Sequence, residues 1–285
     1  MPRLPVALAA TGETQQEMDG ATVRLGDERF SVTIAPGHGA RLASLVVAGR
    51  ERLVTHSDDP LGWGAYPMVP FAGRLRDGVL RFEGFDHRFA LHPDGHAIHG
   101  TVLDVPWRTV SFGDASATFE TELVEPWPFG GTVAHTVEVD VEVRTVRCRL
   151  AVRAADRTMP VQIGWHPWFG GYESLAIDFA TVLRRDARGI PDGTTGDEPA
   201  PGARDDCFTG VRHWPRVGWD DGWLVQVEST CSHWVVYDVP RGACCVEPQS
   251  GAPNDLNARP EVLRPGGVLE HEMVLRAIPP VIGNT

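Results

Sequence analysis

The chain has 285 residues, of which 42% are hydrophobic and 22% charged, and a formal net charge of -12. That length supports one large all-β domain or two small ones around a substantial core. Acidic residues are scattered and no Lys/Arg-rich block occurs, which argues against nucleic acid or an anionic membrane as the main partner.

In chain order, Pro5 to Ala10 is apolar but too short and too weakly flanked for a secretory signal, and residues 1–18 read as a loosely ordered lead-in. No run approaches the length needed to span a membrane. From Thr22 onward, nearly every segment carries a two-residue period. Thr22 to Leu25 and Phe30 to Ile34, joined through Gly26-Asp27, predict a hairpin, and Leu42 to Val47 predicts a strand closed by Ala48-Gly49. The hairpin pattern returns over Val79 to Leu91 and again over Trp107 to Leu123. Between Val133 and Ala154 the apolar parity switches from Val137, Val139, Val141 and Val143 to Val146, Cys148, Leu150 and Val152, predicting a turn at Arg144-Thr145. Further strands are expected at Leu175 to Phe179, Trp223 to Val227, Trp234 to Val239, Cys244 to Val246 and Val268 to Leu275.

Pro and Gly, 23 and 31 residues, punctuate the chain too often for any helix of ordinary length. Arg185 to Arg204 and Gln249 to Pro265 read as long polar loops. The pattern predicts an all-β protein, a large antiparallel sandwich or barrel. With no linker and no internal repeat, one domain is expected over residues 19–285. The five cysteines are odd in number and lack a CxxC pair, which speaks against a disulfide framework or zinc ribbon and for a reducing cytoplasm.

Chemistry concentrates in five places. Arg74, in Pro70-Phe71-Ala72-Gly73-Arg74, is able to fork two donors onto ligand hydroxyls or a carboxylate. In His96-Ala97-Ile98-His99-Gly100 the two histidines would face opposite sides of a strand, so they form no metal set, and His99 beside flexible Gly100 is the better functional candidate. His166 lies between Trp165 and Trp168 and before Pro167, which places it near the end of a strand running from Met159. Asp205 and Asp206, before Cys207-Phe208, are suited to orienting hydroxyls. Glu247 ends an apolar strand before Pro248, where burial would raise its pKa and suit it as a general base. A histidine and a glutamate at such positions make an acid/base pair conceivable.

These motifs, in this order, resemble the aldose 1-epimerases (galactose mutarotases): Pro70-Phe71-Ala72-Gly73-Arg74, His99-Gly100, His166-Pro167-Trp168-Phe169, Asp205-Asp206-Cys207-Phe208 and Val246-Glu247-Pro248. The resemblance spans roughly residues 20–278. It implies the galactose mutarotase-like β-sandwich (a supersandwich) and an isomerase that opens and recloses a hexose or related aldose without a cofactor or metal. It implies Glu247 as general base, His166 as general acid in its imidazolium form, and His99, Arg74 and Asp205, or its neighbour Asp206, as substrate-binding residues. Trp165, Trp168 and Trp63 are candidates for stacking on a sugar face, Trp168 foremost. The expected partner is a small sugar, the expected assembly a monomer or homodimer. Gly73 departs from the asparagine of many members, and no substrate-binding glutamine is found around Ser232 to Tyr237. A hexose-6-phosphate 1-epimerase would add a basic site, for which Arg74, Arg76 and Arg41 are candidates. A non-catalytic sugar-binding protein on the same fold would be expected to lose His166 or Glu247, and both are present.

Overall fold

The computed structural model describes residues 21–199 and 202–281; the lead-in expected over residues 1–18 lies outside them. The alternating segments pair into a 17-stranded antiparallel sheet that folds over as a sandwich. One layer runs, in pairing order, through Val23–Gly26, Phe30–Ala35, Arg41–Val47, Ala65–Met68, Gly164–Gly170, Ala243–Gln249 and His233–Tyr237. The other runs through Leu224–Ser229, Val268–Ile278, Thr145–Arg153, Thr132–Asp140, Ser116–Glu122 and Arg108–Phe112. The long Asp205–Gly218 strand joins them, because its first residues pair with His233–Tyr237 and its last with Leu224–Ser229. Ser174–Arg185 follows it with register shifts near Asp178, the local bends a strand needs to change layers.

The expected hairpins form, with corrections. The Thr132–Asp140 strand ends before Val141, because the Asp140 Oδ1 accepts the N–H groups of Glu142 and Val143 and captures the chain in a turn three residues earlier than the parity suggested. The stretch Arg185 to Arg204 is not all loop. Asp186 accepts the N–H groups of Arg188 and Ile190, and the chain returns as the strand Pro191–Gly196 against Ser174–Arg185. That strand is polar and mostly exposed, so it shows no alternation to read. Gln249 to Pro265 likewise holds the helix Asp255–Ala258 and the short strand Glu261–Leu263. This strand pairs with Met159–Val161, which is therefore separate from the strand that carries His166.

Within the apolar core, two hydrogen bonds at His135 pin the layers together. Buried His135 accepts the indole N–H of Trp165 at Nε2 (3.3 Å) and donates from Nδ1 to the Ala40 carbonyl (3.1 Å). This arrangement fixes the neutral tautomer, and burial pushes the His135 pKa down to about 4. A histidine depressed in the folded state stabilises it above the unfolded pKa near 6.5, and that contribution is lost as pH falls towards 4. We expect His135 to supply about 3 kcal/mol of acid sensitivity across this window. Guanidinium unfolding at several pH values should show a shallower loss of stability in His135→Gln than in the parent. An unchanged slope would remove His135 from the account.

Candidate active site

Strand alternation sends consecutive residues to opposite faces, and here it separates core from site. Trp165, Phe208, Trp234, Val236 and Val246 point into the sandwich, whereas His166, Cys207, Val235 and Glu247 line a cavity of about 300 Å³ on the outer face of the first layer. Register sets these in a row. Cys207 opposes Val235, Val235 opposes Glu247, and His166 opposes Tyr66. Gly164 pairs with Gln249 and Trp168 with Cys245, so the intervening register places His166 directly across from Glu247.

Neither His166 nor Glu247 ends a strand. They lie within Gly164–Gly170 and Ala243–Gln249, and the prolines that follow them, Pro167 and Pro248, interrupt the ladder between these strands rather than terminate it. In the gap the two side chains meet, His166 Nε2 lying 3.2 Å from Glu247 Oε1. The pair is almost dry, with relative exposures of 5% and 2%. His166 is layered between the rings of Tyr66 (centroids 4.9 Å apart) and Trp168 (5.4 Å), with His99 edge-on at 4.8 Å. The Leu61 carbonyl accepts from both the Tyr66 hydroxyl and the Trp168 indole, tying the loop at 57–62 to this stack.

Burial disfavours both charges. It pushes the His166 pKa down to about 3, the reverse of the upward shift expected from a neighbouring carboxylate. It raises Glu247 well above the usual carboxylate range, with the Asp205 carboxylate adding to the rise and Arg74 and a hydrogen bond from Gln249 opposing it. His99 is lowered by burial and by His166 and Arg74.

Loops form the roof over this floor. The short strands Arg74–Leu75 and Ala97–Ile98 pair, and the His99 N–H donates to the Gly73 carbonyl, so Arg74 and His99 are held together. His99 has φ +57° and is followed by Gly100 at φ +84°, where an added Cβ would lie 1.8 Å from the Val69 carbonyl oxygen. Arg74 donates from Nε to Asp94 (2.8 Å) and lies 3.3 Å from Asp205, which also receives Arg185 (3.0 Å).

All the residues named from sequence, Glu247, His166, Arg74, His99, Asp205 and Trp168, line this one cavity. Asp205 rather than Asp206 faces it, and Asp206 is engaged by Arg185. His96 is structural, accepting the Asp77 N–H and contacting the Arg188 carbonyl. Of the three tryptophans only Trp168 reaches the cavity. Trp165 is core, and Trp63 covers the guanidinium of Arg41 at 4.2 Å. Arg41 is buried and spends its donors on the carbonyls of His38, Pro60, Trp63 and Leu103, and Arg76 pairs with Asp186, so neither lines the cavity. Sequence reasoning missed Tyr66, Arg185 and Gln249. Gln249 was within reach, because it lies two residues from Glu247 on the same face. Its Nε2 donates to Glu247 Oε2 (3.2 Å), and its buried Oε1 has no hydrogen-bond partner. The space beside Gly73 is filled by Pro253.

Residues 21–198 match the aldose 1-epimerase family. The chain belongs to that family. Over 251 residues it is 27% identical to YphB, an uncharacterized protein of Escherichia coli, covering 74% of this chain and 82% of the relative. Its fold is shared with a GalM/aldose epimerase homologue of C. elegans (TM-score 0.79, 14% identity, 91% of this chain and 99% of the other). It is shared also with galactose 1-epimerase of Lactobacillus acidophilus (TM-score 0.73, 16% identity, 91% and 94%).

The Gly100 contact yields a direct test of how the roof is held. Gly100→Ala forces a side chain against backbone at a φ that alanine resists, which should cost about 1–3 kcal/mol. A thermal midpoint equal to the parent's would show that the His99 loop relaxes freely.

Proposed function

We propose that this protein is an aldose 1-epimerase that interconverts the α and β anomers of a free, unphosphorylated aldose, with Glu247 as general base and His166 as general acid. The observation that carries this reading is the direct, desolvated contact between the two side chains at the floor of a cavity of sugar size. A purely sugar-binding protein has no use for such a contact.

Mutarotation needs one proton removed from the anomeric hydroxyl and one delivered to the ring oxygen. In the working form Glu247 is ionised and His166 protonated. Glu247 takes the O1 proton as His166 gives its own to O5, the C1–O5 bond breaks, and the open-chain aldehyde forms. Rotation about C1–C2 and reversal of the proton transfers close the other anomer. Burial makes Glu247 a stronger base and His166 a stronger acid, so both shifts favour proton transfer in the ring-opening direction. The neutral pair that burial prefers has the protonation state of the ring-opened intermediate. Every transfer in this scheme is between side chain and sugar, so it requires no cofactor. Trp168 supplies an apolar platform, Gln249 Oε1 an acceptor for a hydroxyl, and Arg74, His99 and Asp205 the remaining polar contacts. Five buried free thiols suit a reducing, cytoplasmic setting.

Against a phosphorylated substrate stands the charge of the cavity. Its arginines, Arg74 and Arg185, already share Asp205, and Asp59, Asp94 and Glu247 line the same space. We expect kcat/KM for free aldoses to exceed that for their 6-phosphates by roughly tenfold or more. A preference for a hexose 6-phosphate, measured by coupled anomer assay, would reverse the choice.

Glu247→Gln should lower mutarotation by about 10²–10⁴-fold with the fold intact by circular dichroism. The active pair holds one proton, so kcat/KM should form a broad bell. The acid limb reflects a second proton reaching His166, held down to about 3, and the alkaline limb reflects loss of the shared proton. In His166→Asn the residual rate should instead rise with pH, as Glu247 ionises through its raised pKa. Retention of the parent's alkaline limb in that variant would assign the acid to another group.

A further inference from the structure

We propose that His99, His166 and Glu247 form a binding site for a divalent transition cation of the zinc type, and that occupation of the site switches the epimerase off. The second half rests on the acid/base reading above; the first does not.

The donor atoms of these three side chains lie within 4.8 Å of one another, and all three residues are buried. The ligands of one tetrahedral zinc ion lie about 3.3 Å apart, with metal–donor distances of about 2.0–2.1 Å. His166 Nε2 and Glu247 Oε1, at 3.2 Å, already meet that spacing and would subtend roughly 100° at the metal. His99 has a small distance to close, and its buried Nδ1 has no hydrogen-bond partner to hold the ring back. Two imidazoles and one carboxylate select zinc, cobalt or nickel over magnesium or calcium, which prefer all-oxygen sites. Gln249 holds Glu247 through Oε2, which leaves Oε1 directed at His166. The cavity leaves a fourth position for a water or a sugar hydroxyl.

The surroundings also say what kind of metal site this is. A resident zinc site backs its histidines with carboxylates or carbonyls, and the His166 Nδ1 finds no partner on another residue. Affinity should be weaker by roughly 10–100-fold than in a site with such support. A cation bound here occupies the lone pairs that move protons in the reaction, so it competes with catalysis instead of serving it.

The test uses the full chain, stripped with EDTA and titrated with Co²⁺ alone. Binding at the triad produces the intense visible absorption of low-coordinate cobalt, which Zn²⁺ then bleaches by displacement. His99→Gln should lose the absorption while keeping the parent's circular dichroism spectrum. Saturating Zn²⁺ should lower mutarotation of the parent by about 10²-fold or more, with recovery on adding EDTA. Absence of the cobalt absorption in a protein that mutarotates normally overturns the metal site and leaves the enzymatic reading standing. Cobalt absorption in a protein that never mutarotates, stripped or loaded, supports the site and sinks the acid/base reading. Mutarotation lost on stripping and restored by Zn²⁺ overturns the switching-off role.

Discussion

The constraint on which the site depends is a broken ladder. Two neighbouring strands keep register on either side of a gap, and the gap is held open by two residues, Pro167 and Pro248, that have no N–H to give. Into it project a histidine and a glutamate that register has set face to face. A continuous ladder would hold the strands at regular spacing and leave these side chains as one more cross-strand pair. The interruption leaves backbone carbonyls and side chains free to turn to other partners, and the sheet on either side holds the geometry rigid. Side chains on strands in a large sheet are held more firmly than side chains on loops.

Desolvation decides how these groups behave. A carboxylate near an imidazole ordinarily stabilises the imidazolium. Here both groups lose water, and removing charge from each is the larger effect. Tyr66 and Trp168 on either side of the His166 ring account for much of that dryness. The shared acidic partner Asp205 adds to it electrically by raising Glu247, and Arg74 holds that rise in check. His166 and Glu247 are therefore shifted in opposite directions by a common cause.

Much of this was legible in the sequence. Alternation and turn residues located most of the strands, and motif order brought Glu247, His166, Arg74, His99 and Asp205 to one place. The failures have physical reasons. Proline was read as an end to the strands bearing His166 and Glu247, but each proline breaks one ladder while its strand stays paired on the other side. Pro191–Gly196 was read as loop because a strand exposed on both faces has no apolar period. The turn after Asp140 was misplaced because a side-chain acceptor, invisible to hydrophobic periodicity, closed it early. The downward shift of His166 was not legible, because it depends on burial, which no local pattern around His166 encodes.

The floor of the cavity is sheet and its roof is loop, and that division has a consequence for substitution. His166 and Glu247 are anchored by strands whose alternate residues are committed to the core, so they are costly to move. The segments at 57–62, 91–99 and 185–191 that close over them are more exposed, with His96, Ala97, His99 and Ile190 as their buried residues. Substitutions at exposed positions there change the shape and charge of the cavity mouth, whereas His99 and the Leu61 carbonyl are tied to the ring stack around His166. At Gly73 the space a side chain would need is taken by Pro253. Change in the segments above the cavity alters its shape and charge while the sheet beneath keeps its register.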